Sequence, residues 1–132
     1  MGDDDRTAEW RAELERDFGL YSTGDVARRA GSRGHSPATA VKRWAAAGKI
    51  FAVASAAGVD VYPGFCFDVN GRPHPAIAAV VKASAGRLTG WSLAGWFVTP
   101  NSRLGGARPV DHLEQVDALA AAAAAARADP AD

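Results

Sequence analysis

Residues 91–98 place five large apolar side chains, Trp91, Leu93, Trp96, Phe97 and Val98, within eight positions. Rings of this size contribute chiefly by being buried, so the segment requires a core built around it. Pro100-Asn101 stops the run, Gly105-Gly106 makes a turn, and Arg108-Pro109-Val110-Asp111 restarts the chain. No metal, phosphate-loop or nucleophile signature uses this arrangement.

A chain of 132 residues makes one domain of ordinary size or two very small units packed together. With 48% apolar residues, wholesale disorder is excluded. Cys66 is the single cysteine, so no disulfide framework exists, and no Cys/His spacing fits a zinc finger. The N-terminus, MGDDDRTAEW, is acidic and polar, unlike a signal or transit peptide, and Gly2 lacks the Ser or Thr of a myristoylation site. No apolar run approaches the ~20 residues of a membrane helix. The expectation is a cytoplasmic protein with no membrane partner.

Net charge is zero, but it is unevenly spread. Residues 1–17 hold seven acids against three arginines (net −4). Residues 22–49 hold Arg28, Arg29, Arg33, Lys42, Arg43 and Lys49 against Asp25 alone, six minus one giving +5. A basic segment inside a neutral chain leaves nucleic acid open as a partner.

That segment reads as a helix-turn-helix. Residues 5–17 suggest an amphipathic helix with Ala8, Leu14 and Phe18 near one face, broken at Phe18-Gly19-Leu20. Ser22 is an N-cap for a helix over residues 24–30, where Val26, Ala27 and Ala30 share a face and Gly31 supplies the stop. Ser36-Pro37 opens a second helix through about Ala47, ended by Gly48. Val41 and Trp44 form its buried stripe with Ala40 and Ala45 alongside, leaving Thr39, Lys42 and Arg43 outside. Ile50-Phe51-Ala52-Val53 and Val59-Asp60-Val61-Tyr62 then read as a hairpin, with Phe65-Cys66-Phe67 extending the sheet. This favours a winged form, and YSTGDVARRAG is similar to the first helix of MerR-type DNA-binding domains. In the DNA reading Thr39, Lys42 and Arg43 approach base edges or phosphates, while Arg28, Arg29, Arg33 and Lys49 serve the backbone. The bland alternative is an ordinary three-helix core with a solvated basic face.

The second half reads as helical. Asp68 to Pro73 form a turn around Asn70-Gly71. His74-Pro75 leads into a helix from Ala76 to about Ala85, buried through Ile77, Val80 and Val81 and ended by Gly86. A short helix starts at Thr89-Gly90 or Ser92 and runs through Val98, with Trp91 and Phe97 flanking a Leu93–Trp96 face. Pro109 and Asp111 begin a last helix carrying Val110, Leu113, Val116 and Leu119, then an alanine run to Ala126 that has little to bury. The expected fold is therefore mainly α with a small β-hairpin. A winged helix-turn-helix-like half spans residues 1–72, a helical half 73–127, and a frayed tail 128–132.

No residue set argues for an enzyme, a cofactor or a metal. His35, His74 and His112 are scattered, without acidic partners at ligand spacing. Cys66, between Phe65 and Phe67, reads as a buried small apolar residue.

The 76–120 region resembles the toxin-binding domain of Xre/MbcA/ParS-type antitoxins. There a Trp-x-x-x-x-x-x-Asn turn precedes a Gly-x-x-Pro-x-Asp/Glu-x-Leu helix start. The matching residues are Trp96, Phe97, Pro100, Asn101, Leu104, Gly105, Arg108, Pro109, Asp111 and Leu113. The resemblance implies a homodimer that binds and neutralises an NAD-consuming RES-domain toxin and represses its own operon by binding operator DNA. It carries toxin contact over to Trp96, Asn101, Arg103, Leu104, Gly105, Gly106 and Arg108, with Arg103 and Arg108 the exposed candidates. Two departures stand out: the N-terminal half is winged or MerR-like rather than Xre-like, and the last helix ends in alanines. The alternative is a stand-alone DNA-binding transcriptional regulator whose C-terminal half dimerises it. A structural adaptor binding neither is a third.

Overall fold

The computed structural model describes residues 2–30 and 37–126. The fold is mainly helical with a small antiparallel sheet, as the sequence implies. Its elements in order are α1 (Gly2–Phe18), β1 (Leu20–Tyr21), α2 (Thr23–Arg29), α3 (Pro37–Ala46), β2 (Val53–Ala54), β3 (Asp60–Pro63), α4 (Pro75–Ser84), α5 (Gly90–Val98) and α6 (Val116–Ala126).

Local chemistry explains the element ends. Ser22 caps α2 through a reciprocal box: its hydroxyl accepts from the Asp25 N–H (3.1 Å), and the Asp25 carboxylate accepts from the Ser22 N–H (3.2 Å). Arg28 adds an ion pair to the same carboxylate. The Ser22 groups, then Arg28, hold the Asp25 carboxyl below its ordinary value. Helix α1 starts three residues before its expected position. Helix α4 opens on Pro75, with His74 as N-cap, and ends at Ala85, which adopts a left-handed conformation (φ 51°) before Gly86. Alanine thus takes the conformation that the sequence assigns to the following glycine.

The sheet runs β1-β3-β2, with Leu20 opposite Pro63, Tyr21 opposite Tyr62, and Val53 opposite Val61. Strand β1 goes beyond the expected hairpin. Its approach to β3 is close: the Gly64 N–H donates to Gly19 O (2.9 Å), and a Cβ on Gly64 would sit 1.8 Å from Phe18 O. Only glycine fits there. Residues 50–52 stand outside the strands, while Ile50 and Phe51 are core. The expectation that Phe65-Cys66-Phe67 extends the sheet fails, because Gly64–Cys66 is a 3-10 turn that buries Phe65 and Cys66. Phe67 makes an isolated bridge with Pro73. Full burial pushes the Cys66 thiol up to about 12, so it is an inert core group.

The core is an aromatic cluster drawn from both ends of the chain. Phe65 and Phe97 lie 5.0 Å apart between ring centroids, Phe51 and Phe97 6.0 Å, and Phe18 and Phe65 5.5 Å. The inward face of α5 is Leu93, Ala94 and Phe97, within one turn of each other. Trp96 is only half-buried and packs edge-on against Phe97 at 5.1 Å, so it borders the core instead of centring it. Trp91 ties three elements together. Its indole N–H donates to Ala54 O at the end of β2 (2.8 Å), its ring meets Trp10 of α1 (5.6 Å), and the Arg11 guanidinium lies over it (4.5 Å).

The last helix differs from expectation in two ways. Pro109–His112 is a 3-10 turn, and α6 begins only at Val116. The alanine run is not idle either. Ala122 and Ala123 are buried with Leu119, and α6 packs along α4, whose Ala76, Ile77 and Val80 are fully buried. Small side chains let two helices approach closely, which is what the run contributes here.

Candidate nucleic-acid interface

Helices α2 and α3 pack against each other, and the β2–β3 hairpin follows α3 in the chain. The inner side of α3 is Val41 (1% exposed), with Trp44 and Ala45 half-buried beside it. Thr39, Lys42 and Arg43, at i, i+3 and i+4, are exposed together on the outer side, as expected. No carboxylate of the described residues pairs with Lys42, Arg43 or Lys49. A cation without such a partner keeps its charge available to a phosphate.

The other basic residues are placed differently. Arg28 is engaged by Asp25. Arg29 is exposed, with its guanidinium 4.8 Å from the centre of the Tyr21 ring, so strand β1 positions it. Arg33, like His35 and residues 127–132, lies outside the described residues. The hairpin tip is closed by Ser55, which donates its N–H to Val59 O (2.8 Å) and accepts the Val59 N–H at Oγ (3.2 Å). The tip carries no cation; it exposes Ala56, Ala57, Gly58 and a 59% exposed Val59. The hairpin tip therefore offers no charge-based contact of its own.

The residues singled out in the C-terminal half gather around one exposed loop. Asn101 pairs with Ala107 in an isolated bridge and accepts the Arg103 N–H at its side chain (2.9 Å). Arg103, Gly105 and Gly106 are exposed on this loop, and Leu104 is half-buried against the core. Arg108 is half-buried and clamped: Nε and one terminal nitrogen donate to the two Asp111 oxygens at 2.9 and 3.1 Å. That fork holds the Asp111 carboxyl below, and the Arg108 guanidinium above, their ordinary values. Arg103 is thus the open cation of the pair, and Arg108 a brace. Trp96 Nε1 is buried without a partner among the described residues, so it is not presented outward.

Two residues that the sequence does not single out as contacts, Arg72 and His74, stand beside Lys49 and Trp44 around one cleft. The turn that brings them there is pinned. Asp68 Oδ1 accepts the Asn70 and Arg72 N–H groups (2.8 and 3.1 Å). Gly71 sits at φ +77° so close to the end of α2 that a Cβ would lie 2.4 Å from Arg29 O. The Asp-x-x-Gly-Arg spacing was the available signal for a cation on a rigid turn.

No family model matches the chain, and no curated protein matches it. Among solved structures, the NMR structure of Rv2175c is similar, with a TM-score of 0.67 and 25% identity, covering 83% of this chain and 82% of that one. The likeness therefore extends over both halves. No helix of the described residues is long and apolar enough to cross a membrane.

Proposed function

We propose that the chain is a DNA-binding regulator of the winged helix-turn-helix type, with α3 as the helix that meets the duplex. The observation that carries this reading is the outer face of α3. Lys42 and Arg43 project there without carboxylate partners among the described residues, on a helix whose opposite side is locked into the core by Val41. Lys49 and Arg29, both exposed and without described carboxylate partners, would serve as backbone contacts, whereas Arg28 serves its own helix through Asp25. The C-terminal half, built on α4 and α6, then acts as a dimerisation or partner module.

Fluorescence anisotropy with a labelled duplex tests this. Lys42→Ala with Arg43→Ala should leave the melting temperature unchanged, weaken binding, and lower the log–log salt slope by about 1.8, roughly 0.9 for each phosphate no longer neutralised. Unchanged affinity and slope in a wild type that binds DNA would remove α3 from the interface.

A second reading is favoured by the loop over residues 101–107, which carries residues of the antitoxin resemblance. The loop is self-bonded and exposes Arg103 and the Gly105-Gly106 turn, a shape suited to entering a cleft in another protein. In this reading the C-terminal half covers a RES-domain toxin and the N-terminal half represses the operon. Co-expression with such a toxin should restore cellular NAD and growth, and Arg103→Glu should abolish the rescue. A complex that forms equally well with Arg103→Glu would sink the assignment of the loop.

A further inference from the structure

We propose that the cleft between the end of α3 and the start of α4 binds a small phosphate ester carrying a planar ring, of the nucleoside monophosphate class. The cleft encloses about 390 Å³ and is lined by Trp44, Lys49, Arg72, Pro73, His74, Pro75 and Ala78. That volume falls in the range of ligand-sized sites. Its lining contains two cations, one imidazole and no carboxylate.

Each polar group has its chemistry fixed by its surroundings. Lys49 and Arg72 are exposed and make no ion pair with a described carboxylate. Asp68, the nearest acid in sequence to Arg72, is turned into its own loop, accepting the Asn70 and Arg72 backbone N–H groups. Arg72 therefore stands on a braced backbone with its guanidinium clear of that carboxylate. His74 accepts the Ala76 N–H at Nδ1 (3.2 Å), so the neutral ring carries its proton on Nε2 and offers a donor. Three donors and no acceptor side chain select an anion, and an Arg–Lys pair suits the dispersed charge of a phosphate. The half-buried Trp44 indole supplies an aromatic wall, with Pro73 and Pro75 as apolar neighbours. Stacking on such a wall tolerates different heterocycles. Thr39, Lys42 and Arg43 do not line the cleft, and Lys49 is the residue it shares with the DNA reading, so the variants below separate the two.

The test is a titration of the full chain, followed by ¹H–¹⁵N spectra of the Trp44 indole and the amides of residues 72, 74 and 76. The ligands are adenosine monophosphate, inorganic phosphate and a random-sequence duplex, each alone. Adenosine monophosphate should shift these resonances saturably and bind at least fivefold more tightly than inorganic phosphate. Lys49→Ala with Arg72→Ala should weaken it at least tenfold. Lys42→Ala with Arg43→Ala, which removes the same charge elsewhere, should leave it unchanged. Equal losses in the two double variants would reduce the site to diffuse surface charge and overturn the proposal. So would shifts produced by the duplex alone, which would make the cleft a backbone-phosphate clamp, or no shift with any ligand at about 10 mM, a concentration of roughly the weakest useful affinity.

Discussion

Charge is handled in opposite ways at the two ends of this molecule. Around α3, Lys42, Arg43 and Lys49 stand exposed with no described carboxylate in reach, whereas in the 101–111 segment Arg108 is forked onto Asp111 and Asn101 bonds its own loop. A pair that satisfies itself fixes local geometry, and on an exposed surface adds only about 0–1 kcal/mol. An unpaired cation adds nothing to folding but keeps its attraction for an anion from outside. Around α3 charge is presented; at 108–111 it is used internally, with Arg103 left as the open cation of that segment. The counter-example is instructive: Arg28 lies in the presenting end yet is paired with Asp25, because the N-cap of α2 already required that carboxylate.

The largest test of this contrast is in the shared core. Phe97→Ala should cost about 3–5 kcal/mol, because the ring is fully buried against Phe51 and Phe65. Trp96→Ala should cost distinctly less, the indole being half-exposed. Urea melts read by both near- and far-ultraviolet dichroism should give one transition for Phe97→Ala. A surviving α2–α3 transition would separate the two ends energetically as well as electrostatically. Next comes Gly71→Ala, which meets a positive φ and the Arg29 carbonyl together. A loss of about 1–3 kcal/mol is expected, and protection from amide exchange should fall first at the end of α2. Unchanged protection at α2 would show that the Asp68 turn does not brace it.

Smaller effects sharpen the picture. Ala85→Gly should raise stability by up to about 1 kcal/mol in the same melts, since glycine takes a left-handed cap without strain. A drop would show that the alanine methyl matters more than its backbone. The smallest effect is acid dependence. Asp25 and Asp111 have carboxyls held below their ordinary values in the folded chain. Their contributions are present above the unfolded value of about 4 and fade as pH falls through the folded ones. Below about pH 4 the wild type should therefore lose melting temperature faster than an Asp25→Asn, Asp111→Asn double variant. Parallel acid limbs would mean that the two capped carboxylates do not distinguish the folded from the unfolded chain.

Much of the fold was legible in local grammar. The Ser22 cap, Pro37, Pro75 and the Asn70-Gly71 turn each fix an element boundary through backbone chemistry that acts within a few residues, and the outer face of α3 follows from its apolar stripe. What escaped were features that depend on distant chain. Two residues, Leu20 and Tyr21, become a strand only because Gly64 lets β3 approach. Phe65-Cys66-Phe67 alternates like a strand but coils into a 3-10 turn, so that Phe65 can reach Phe97. The alanines of α6 look idle until α4 lies against them. The site was barely legible for the same reason: Lys49 was expected as a backbone contact and Trp44 as core, while Arg72 and His74 joined them only through the fold. Sequence position marks Arg108 as open, but its fork to Asp111 appears only once the turn has formed.

The single indole bond from Trp91 to Ala54 has a mechanical consequence. A hairpin this short with a small-residue tip would ordinarily be held only by its own ladder, but here Ala54, the residue of β2 next to the turn, is fastened to the first turn of α5, with the Arg11 guanidinium over the Trp91 ring and Trp10 edge-on to it. The hairpin is therefore moored to the C-terminal helices right beside its tip, in addition to its own turn and its pairing with β1.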